Sequence, residues 1–374
     1  MNFIDLHSQY QIIKNQVDTS LLKVLEHGAY IMGPEVQELE GKLVEFAGVK
    51  YAVSCSNGTD ALLMPLIAWG IGPGDAVFTT PFTFIATAEV IQLLGATPVF
   101  VDIDENTFNI SPAKLEEKIL EIKSEGKLSP KAVIPVDLFG LCADYDKIEQ
   151  IARKHELLIL EDAAQSFGAE FNGKRACTFG DCAATSFYPA KPLGCYGDGG
   201  AIFTDDEELY NKLISIRVHG QGIDKYNNIR IGINGRLDTI QAAVLLAKLS
   251  IFEDEIVKRN KVAGLYSSML KDVLQVPHIP ENYMSVWAQY SLLAENSNHR
   301  ERIMSELKES SIPTVIYYPL PLHLQEAFNG LNYKKGDFPI CEDVASRIFS
   351  LPMHPYLNEK EIVTICNKIK EITG

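Results

Sequence analysis

Residues 157–166 read Leu157-Leu158-Ile159-Leu160-Glu161-Asp162-Ala163-Ala164-Gln165-Ser166. An unbroken aliphatic run fits a strand covered on both faces, and this one runs straight into two carboxylates. Outward from it, the same rhythm fills the chain between residues 49 and 205. Apolar or β-branched runs predict strands over 49–55, 76–80, 97–103, 132–138 and 157–160. Helical patterns fall between them, over 59–69, 83–94, 112–122 and 145–155; in the last, Ile148, Ile151 and Ala152 recur at three- and four-residue spacing. Strands alternating with helices of this length build βαβ units around a mainly parallel sheet, an α/β fold. Ligands of such sheets bind beyond the carboxyl ends of the strands. The side chains that follow each apolar run are therefore the ones that matter.

Two further strands are expected at 183–188 and 200–204, and a long helix from 239 to about 270. Beyond it the rhythm changes to a strand at 289–293, a helix near 300–310, a strand at 313–318 and a last helix at 359–372. This predicts an N-terminal segment (1–30), a large α/β domain (31–250) and a smaller α+β domain (251–374), in line with about two domains for 374 residues.

Composition narrows the function classes. Lys plus Arg number 34 against 49 Asp plus Glu, a net charge of −15, which repels a phosphate backbone and argues against nucleic-acid binding. Seven cysteines without a Cys-x-x-Cys pair indicate neither a zinc site nor a disulfide framework. The first ten residues lack a basic stretch followed by an apolar run, and no apolar stretch approaches membrane-spanning length. A cytoplasmic enzyme is the expectation.

Four clusters follow the apolar runs. Ser54-Cys55-Ser56-Asn57-Gly58-Thr59-Asp60 is either a capped helix start with a turn glycine or an anion cradle, since backbone N–H groups at a helix N-terminus attract negative charge. It matches neither the Walker pattern nor G-x-G-x-x-G, which favours a single phosphate over a nucleotide. Glu161-Asp162 is either a pair of capping carboxylates or an acid that meets a protonated ring nitrogen or a metal, because a buried carboxylate is costly without a cation. Ser186-Phe187-Tyr188-Pro189-Ala190-Lys191-Pro192-Leu193-Gly194 places one lysine among aromatic, proline and glycine residues. It is either a surface charge or a pocketed, nucleophilic amine able to form a Schiff base. Ile231-Gly232-Ile233-Asn234-Gly235-Arg236-Leu237-Asp238 is a glycine-punctuated turn before the long helix. A phosphate cradle, an acid after a strand and a pocketed lysine are together the parts that hold pyridoxal phosphate.

The segments Ser56-Asn57-Gly58-Thr59-Asp60-Ala61-Leu62, Glu161-Asp162-Ala163-Ala164-Gln165-Ser166 and Gly197-Asp198-Gly199-Gly200 resemble those of the DegT/DnrJ/StrS-type sugar aminotransferases, within the fold-type I pyridoxal phosphate enzymes. The likeness runs from Phe3-Ile4-Asp5-Leu6 to Leu351-Pro352-Met353-His354-Pro355. It implies that Lys191 forms the Schiff base with the cofactor and that Asp162 pairs with its ring nitrogen. Gln165 would contact the 3-hydroxyl, and Phe84 would lie over the ring. Gly58, Thr59 and Ser186 would hold the phosphate, joined by Asn234 of the partner subunit, which implies a homodimer with shared sites. The implied reaction moves an amino group from glutamate to a nucleotide-linked keto-sugar in surface-polysaccharide synthesis. The most similar branch acts at C3 of a UDP-linked 2-acetamido-3-oxo-uronic acid; dTDP- or UDP-linked 3-keto or 4-keto-6-deoxy sugars are the alternative. Arg236 is the candidate partner of a sugar carboxylate, with Asp238 or a neighbouring acid as its other possible partner. Tyr317 and Tyr318 are the candidate pocket walls. Where that branch carries His-Tyr-Pro, this chain carries Tyr317-Tyr318-Pro319. A related class of sugar 3-dehydratases has histidine in place of the lysine, and a non-catalytic regulatory homologue would be free to lose the lysine or the acid.

Overall fold

The structure is a computed structural model and describes residues 1–224 and 226–374. Two helices open the chain, α1 (Leu6–His27) and α2 (Pro34–Ala47). Strands and helices then alternate: β1 (Tyr51–Cys55), α3 (Gly58–Ala68), β2 (Asp75–Thr79), α4 (Ala86–Leu93), β3 (Thr97–Phe100), α5 (Pro112–Glu125), β4 (Ser129–Val133), α6 (Tyr145–His155) and β5 (Leu158–Asp162). Two short strands, β6 (Glu170–Phe171) and β7 (Lys174–Arg175), precede β8 (Cys182–Ser186), β9 (Gly200–Thr204) and α7 (Glu207–Arg217). The long helix α8 (Thr239–Leu270) leads into β10 (Tyr283–Met284), β11 (Tyr290–Leu293), α9 (Ser297–Glu309), α10 (Pro339–Arg347), β12 (Ile348–Leu351) and α11 (Glu359–Thr373).

The central sheet has the order β1-β9-β8-β5-β4-β2-β3. Only β9 runs against its neighbours, antiparallel to both β1 and β8. Alternate strand residues feed two cores, as the pleat requires. Phe78, Val133, Ile159 and Ala183 meet α2, α5, α6 and the first half of α8; Val77, Ala132, Leu160 and Ala184 meet α3, α4 and α7. This three-layer arrangement explains the near-continuous apolar runs. A third core joins the second half of α8 to β11, β12, α9 and α11. The boundary expected at residue 250 thus falls inside one continuous helix.

Two expectations are corrected. Residues 313–318 do not form a strand; among them only Val315 bridges, to Ser350. Pro313 has no N–H to give a ladder, and Pro319 and Pro321 follow closely. The strand that pairs with β11 is instead β12, four residues at the end of a helix. The run at 132–138 outlasts its strand, because β4 ends at Val133 and the following residues cross toward the site, bridging at Val136 to Asp162. The N-terminal segment is helical: α1 buries a sparse stripe of Gln9, Ile13, Val17 and Val24 on an otherwise polar helix, too thin a pattern to read beforehand.

Candidate active site

The end of β5 separates the two carboxylates that the sequence left together. Successive strand residues face opposite ways, so Glu161 and Asp162 enter different surroundings. Glu161 is fully buried and accepts the N–H groups of Cys177 (2.7 Å) and Phe179 (2.9 Å). It shares its pocket with the fully buried Asp137, which accepts from Ala143 N, Tyr145 Oη and Ser166 Oγ at 2.7–2.9 Å. Burial pushes both acids up, Asp137 to about 6 and Glu161 well above the usual carboxylate range, where the charge of Asp137 adds to the effect. The pair braces the turn that carries Asp162 and Gln165, the Asp137 N–H donating to the Asp162 carbonyl at 3.1 Å.

Asp162 lies on the other side, 4% exposed. Its Oδ2 accepts the hydroxyl of Thr87 at 2.8 Å, and its Oδ1 the N–H of Ala164 at 3.2 Å. Burial raises its pKa, while these two donors and the Lys191 charge pull it down. Lys191 sits in the loop after β8, its N–H bonded to the Tyr188 carbonyl at 2.8 Å. Burial favours its neutral amine and Asp162 opposes that shift. Among the described residues no side chain hydrogen-bonds the Lys191 ammonium. An amine biased toward neutrality beside a buried acid is equipped both to attack a carbonyl and to carry a proton.

The cradle takes shape at the start of α3. Asn57 caps the helix, its Oδ1 accepting from Asp60 N at 2.8 Å, so that Gly58 and Thr59 open the first turn. A Cβ on Gly58 would lie 2.6 Å from the Ser186 Cβ and 3.0 Å from its Oγ. Only glycine lets this helix N-terminus sit directly against the end of β8. Backbone donors and a serine hydroxyl then converge where a phosphate would be held.

Gln165, 4% exposed, accepts the N–H of Phe139 through Oε1 (2.8 Å) and donates through Nε2 to the Tyr318 hydroxyl (3.2 Å). Tyr318 packs edge-on against the buried Phe82, with ring centroids 6.1 Å apart. Phe84, in the turn ahead of α4, is 57% exposed. Asp162, Lys191, Gln165, Tyr318, Gly58 and Ser186 are therefore gathered at the carboxyl ends of the strands. Asn234 and Arg236 flank Gly235, whose carbonyl accepts the Ser56 N–H at 3.1 Å beside the start of the cradle. They lie on the ribbon that pairs Val218 with Asn234, where the Arg236 Nε donates to the Asn234 Oδ1 at 2.9 Å. Sequence reasoning missed Thr87 and Asp137. Thr83 and Thr87 are one helical turn apart and bond each other at 3.1 Å, a spacing that could have marked the polar face opposite β5.

A model of the DegT/DnrJ/EryC1/StrS aminotransferase family matches residues 11–370. The chain belongs to this family. Among its relatives, UDP-2-acetamido-2-deoxy-3-oxo-D-glucuronate aminotransferase of Pseudomonas aeruginosa is 50% identical over 367 residues, covering 98% of each chain. A crystal structure of a family member from Brucella abortus superposes with a TM-score of 0.97 at 52% identity, covering 100% of both chains. A sugar aminotransferase from Streptococcus pneumoniae, solved in PLP and PMP forms, has a TM-score of 0.89 at 26% identity over 96% of this chain and 95–96% of its own. The fold is that of these aminotransferases. Among the described residues no cluster of three His, Cys, Asp or Glu could hold a metal, and no helix is long and apolar enough to cross a membrane. All seven cysteines are free and buried.

Proposed function

We propose that this aminotransferase moves the amino group of L-glutamate onto a nucleotide-linked keto-sugar, at C3 of a UDP-linked 2-acetamido-2-deoxy-3-oxo-glucuronate, in surface-polysaccharide synthesis in the cytoplasm. The reading rests on one observation above all: the buried Asp162, the Lys191 loop and the Gly58–Ser186 cradle meet at the carboxyl ends of one sheet. The residues fit pyridoxal phosphate, since a Cβ on Gly58 would fill the cradle and, among the described residues, no side chain hydrogen-bonds the Lys191 Nζ. Gly58, Thr59 and Ser186 would hold its phosphate, completed by Asn234 of the partner subunit. Asp162 would face its ring nitrogen, Gln165 its 3-hydroxyl and Phe84 its ring. When bound, the cofactor supplies the electron sink that lets a carbon–hydrogen bond next to nitrogen break.

The chain's own groups do the remaining work. Asp162, whose ionised form Thr87 and Ala164 favour, would stabilise a proton on the group that it faces. Lys191 would take the proton from the donor carbon in the glutamate half and give one to the acceptor carbon of the sugar in the second half, acting as general base and then general acid. Glutamate gives its nitrogen in the first half; the keto-sugar receives it in the second. Tyr317 and Tyr318 wall the sugar pocket, and Arg236 offers a bidentate fork to a uronate carboxylate. A role across a dimer is supported by the exposed Ile223, Ile229 and Ile231 on the same ribbon, apolar groups of the kind that a homodimer interface covers.

Lys191 argues against the histidine-bearing dehydratases, and Lys191 with Asp162 against a purely regulatory role. Tyr317, standing where the uronate branch has histidine, favours testing dTDP- and UDP-linked 3-keto and 4-keto-6-deoxy sugars beside the uronate. A panel of these sugars with glutamate, read by mass spectrometry, tests the assignment. Amination of the 3-keto uronate first is expected; preference for a 6-deoxy sugar would overturn the uronate part.

A further inference from the structure

Residues 2–5 have no part in the chemistry above, yet they are tied to the small domain and to the start of α1. The Phe3 carbonyl accepts the Met353 N–H at 3.2 Å, and the Asn2 backbone hydrogen-bonds the buried His354. Asp5 caps α1 through the Ser8 N–H at 3.1 Å and its hydroxyl at 2.6 Å. Between these anchors the Phe3 ring meets Tyr317, with centroids 6.4 Å apart and planes tilted by 50°.

Tyr317 is held by rings on both sides. Tyr318 stands edge-on to it at 5.8 Å, and Tyr318 is itself fixed by Phe82 and Gln165. Among the described residues nothing hydrogen-bonds the Tyr317 hydroxyl, so packing alone sets its position. Burial raises the pKa of the Tyr317 hydroxyl, and the nearby Tyr188 on the Lys191 loop adds to that rise. Without Phe3, one of the two rings that confine Tyr317 is gone.

We propose that Phe3 is a positioning residue for the sugar half of the reaction: the N-terminal strap holds the Tyr317 ring at the wall against which the nucleotide-linked sugar must pack. This rests on the sugar-aminotransferase reading. Glutamate is small and has no need of that wall, so the two half-reactions should respond differently.

The test compares Phe3→Ala, Phe3→Leu and Phe3→Tyr proteins, all as holoenzyme. An aromatic pair of this kind is worth about a three- to tenfold change in an equilibrium constant. In Phe3→Ala the KM for the keto-sugar should rise by about that factor with kcat at saturating sugar little changed. Calorimetric binding of a UDP-linked 2-acetamido uronic acid with a C3 hydroxyl, which cannot react, should weaken in parallel. Phe3→Tyr should restore both values, and Phe3→Leu should fall between and decides the matter if Phe3→Ala fails to fold. Unchanged sugar KM and binding in a folded Phe3→Ala or Phe3→Leu protein would overturn the proposal, as would an equal loss in the glutamate half-reaction. A wild-type protein that aminates no keto-sugar at all would sink the underlying reading itself, a result plainly distinct from the others.

Discussion

Thr87, in the first turn of α4, donates its hydroxyl hydrogen to Oδ2 of Asp162 at the end of β5, across 2.8 Å. The bond crosses from a helix to the adjoining layer of the sheet and reaches a carboxylate whose pKa burial raises. A donor to the ionised form lowers an acid's pKa. Removing it as Thr87→Val should move the acidic limb of the kcat/KM profile to higher pH and cost about tenfold near neutrality, ~1.4 kcal/mol. Asp162→Ala, which removes the acid itself, should cost a hundredfold or more, on the order of 3 kcal/mol. A Thr87→Val protein with an unshifted acidic limb would show that Asp162 does not set that limb.

The shared-site reading predicts rescue between two broken proteins. Asn234→Ala should bind the cofactor weakly, and Lys191→Ala should be inactive. Mixed under conditions of subunit exchange, they should regain part of the wild-type activity, because one hybrid site carries neither lesion. Exchange proven by labelled subunits without any recovery would count against Asn234 acting across the dimer.

Arg236 is tested by a change that keeps its charge and discards its fork, Arg236→Lys. Catalytic efficiency with the 3-keto uronate should fall at least tenfold, about 1.4 kcal/mol, while the glutamate half-reaction measured alone holds steady. Equal loss in both halves would assign Arg236 to the amino-acid carboxylate or to the structure, where its bond to Asn234 already places it.

How much of this was legible beforehand follows from the physics of each signal. Strands covered on both faces announce themselves as apolar runs, so the alternation of β1 to β5 with α3 to α6 could be read within a few residues. The helix Tyr145–His155 was legible to the residue, because its apolar stripe and the Asp144 cap coincide. Lys191, Asp162 and Gly58 stand out in the sequence because their neighbours are so unusual for loops, and the fold brings them to one end of the sheet; the roles given to them are proposals. What each of the two adjacent acids does was not legible, since strand parity sends Glu161 to Asp137 and Asp162 to Thr87 across long sequence separations. The N-terminal strap was illegible for the same reason: nothing within residues 1–10 says that Phe3 will meet Tyr317.

The Asp137–Glu161 pair makes a stability prediction. An Asp with an ordinary value of 3.8 that reaches about 6 in the fold binds its proton more tightly when native. Between about pH 4 and 6 the native state keeps a proton that the unfolded chain has released, so this group's contribution to stability falls as pH rises. Asp137→Asn cannot titrate. Its melting temperature relative to wild type should therefore climb from pH 4.5 to 7, by an amount corresponding to at most ~3 kcal/mol. A difference that stays constant with pH would mean that the pair does not hold a proton.

The central claim is that nitrogen passes from glutamate to a nucleotide-linked sugar by way of Lys191. Purified enzyme should be given glutamate labelled with heavy nitrogen in its amino group, together with the UDP-linked 2-acetamido-3-oxo uronic acid, and the sugar product weighed by mass spectrometry. The account predicts a C3 amino sugar carrying the heavy isotope from the wild-type protein and none from Lys191→Ala. Unlabelled product, no product from any keto-sugar, or labelled product from the Lys191→Ala protein would contradict it.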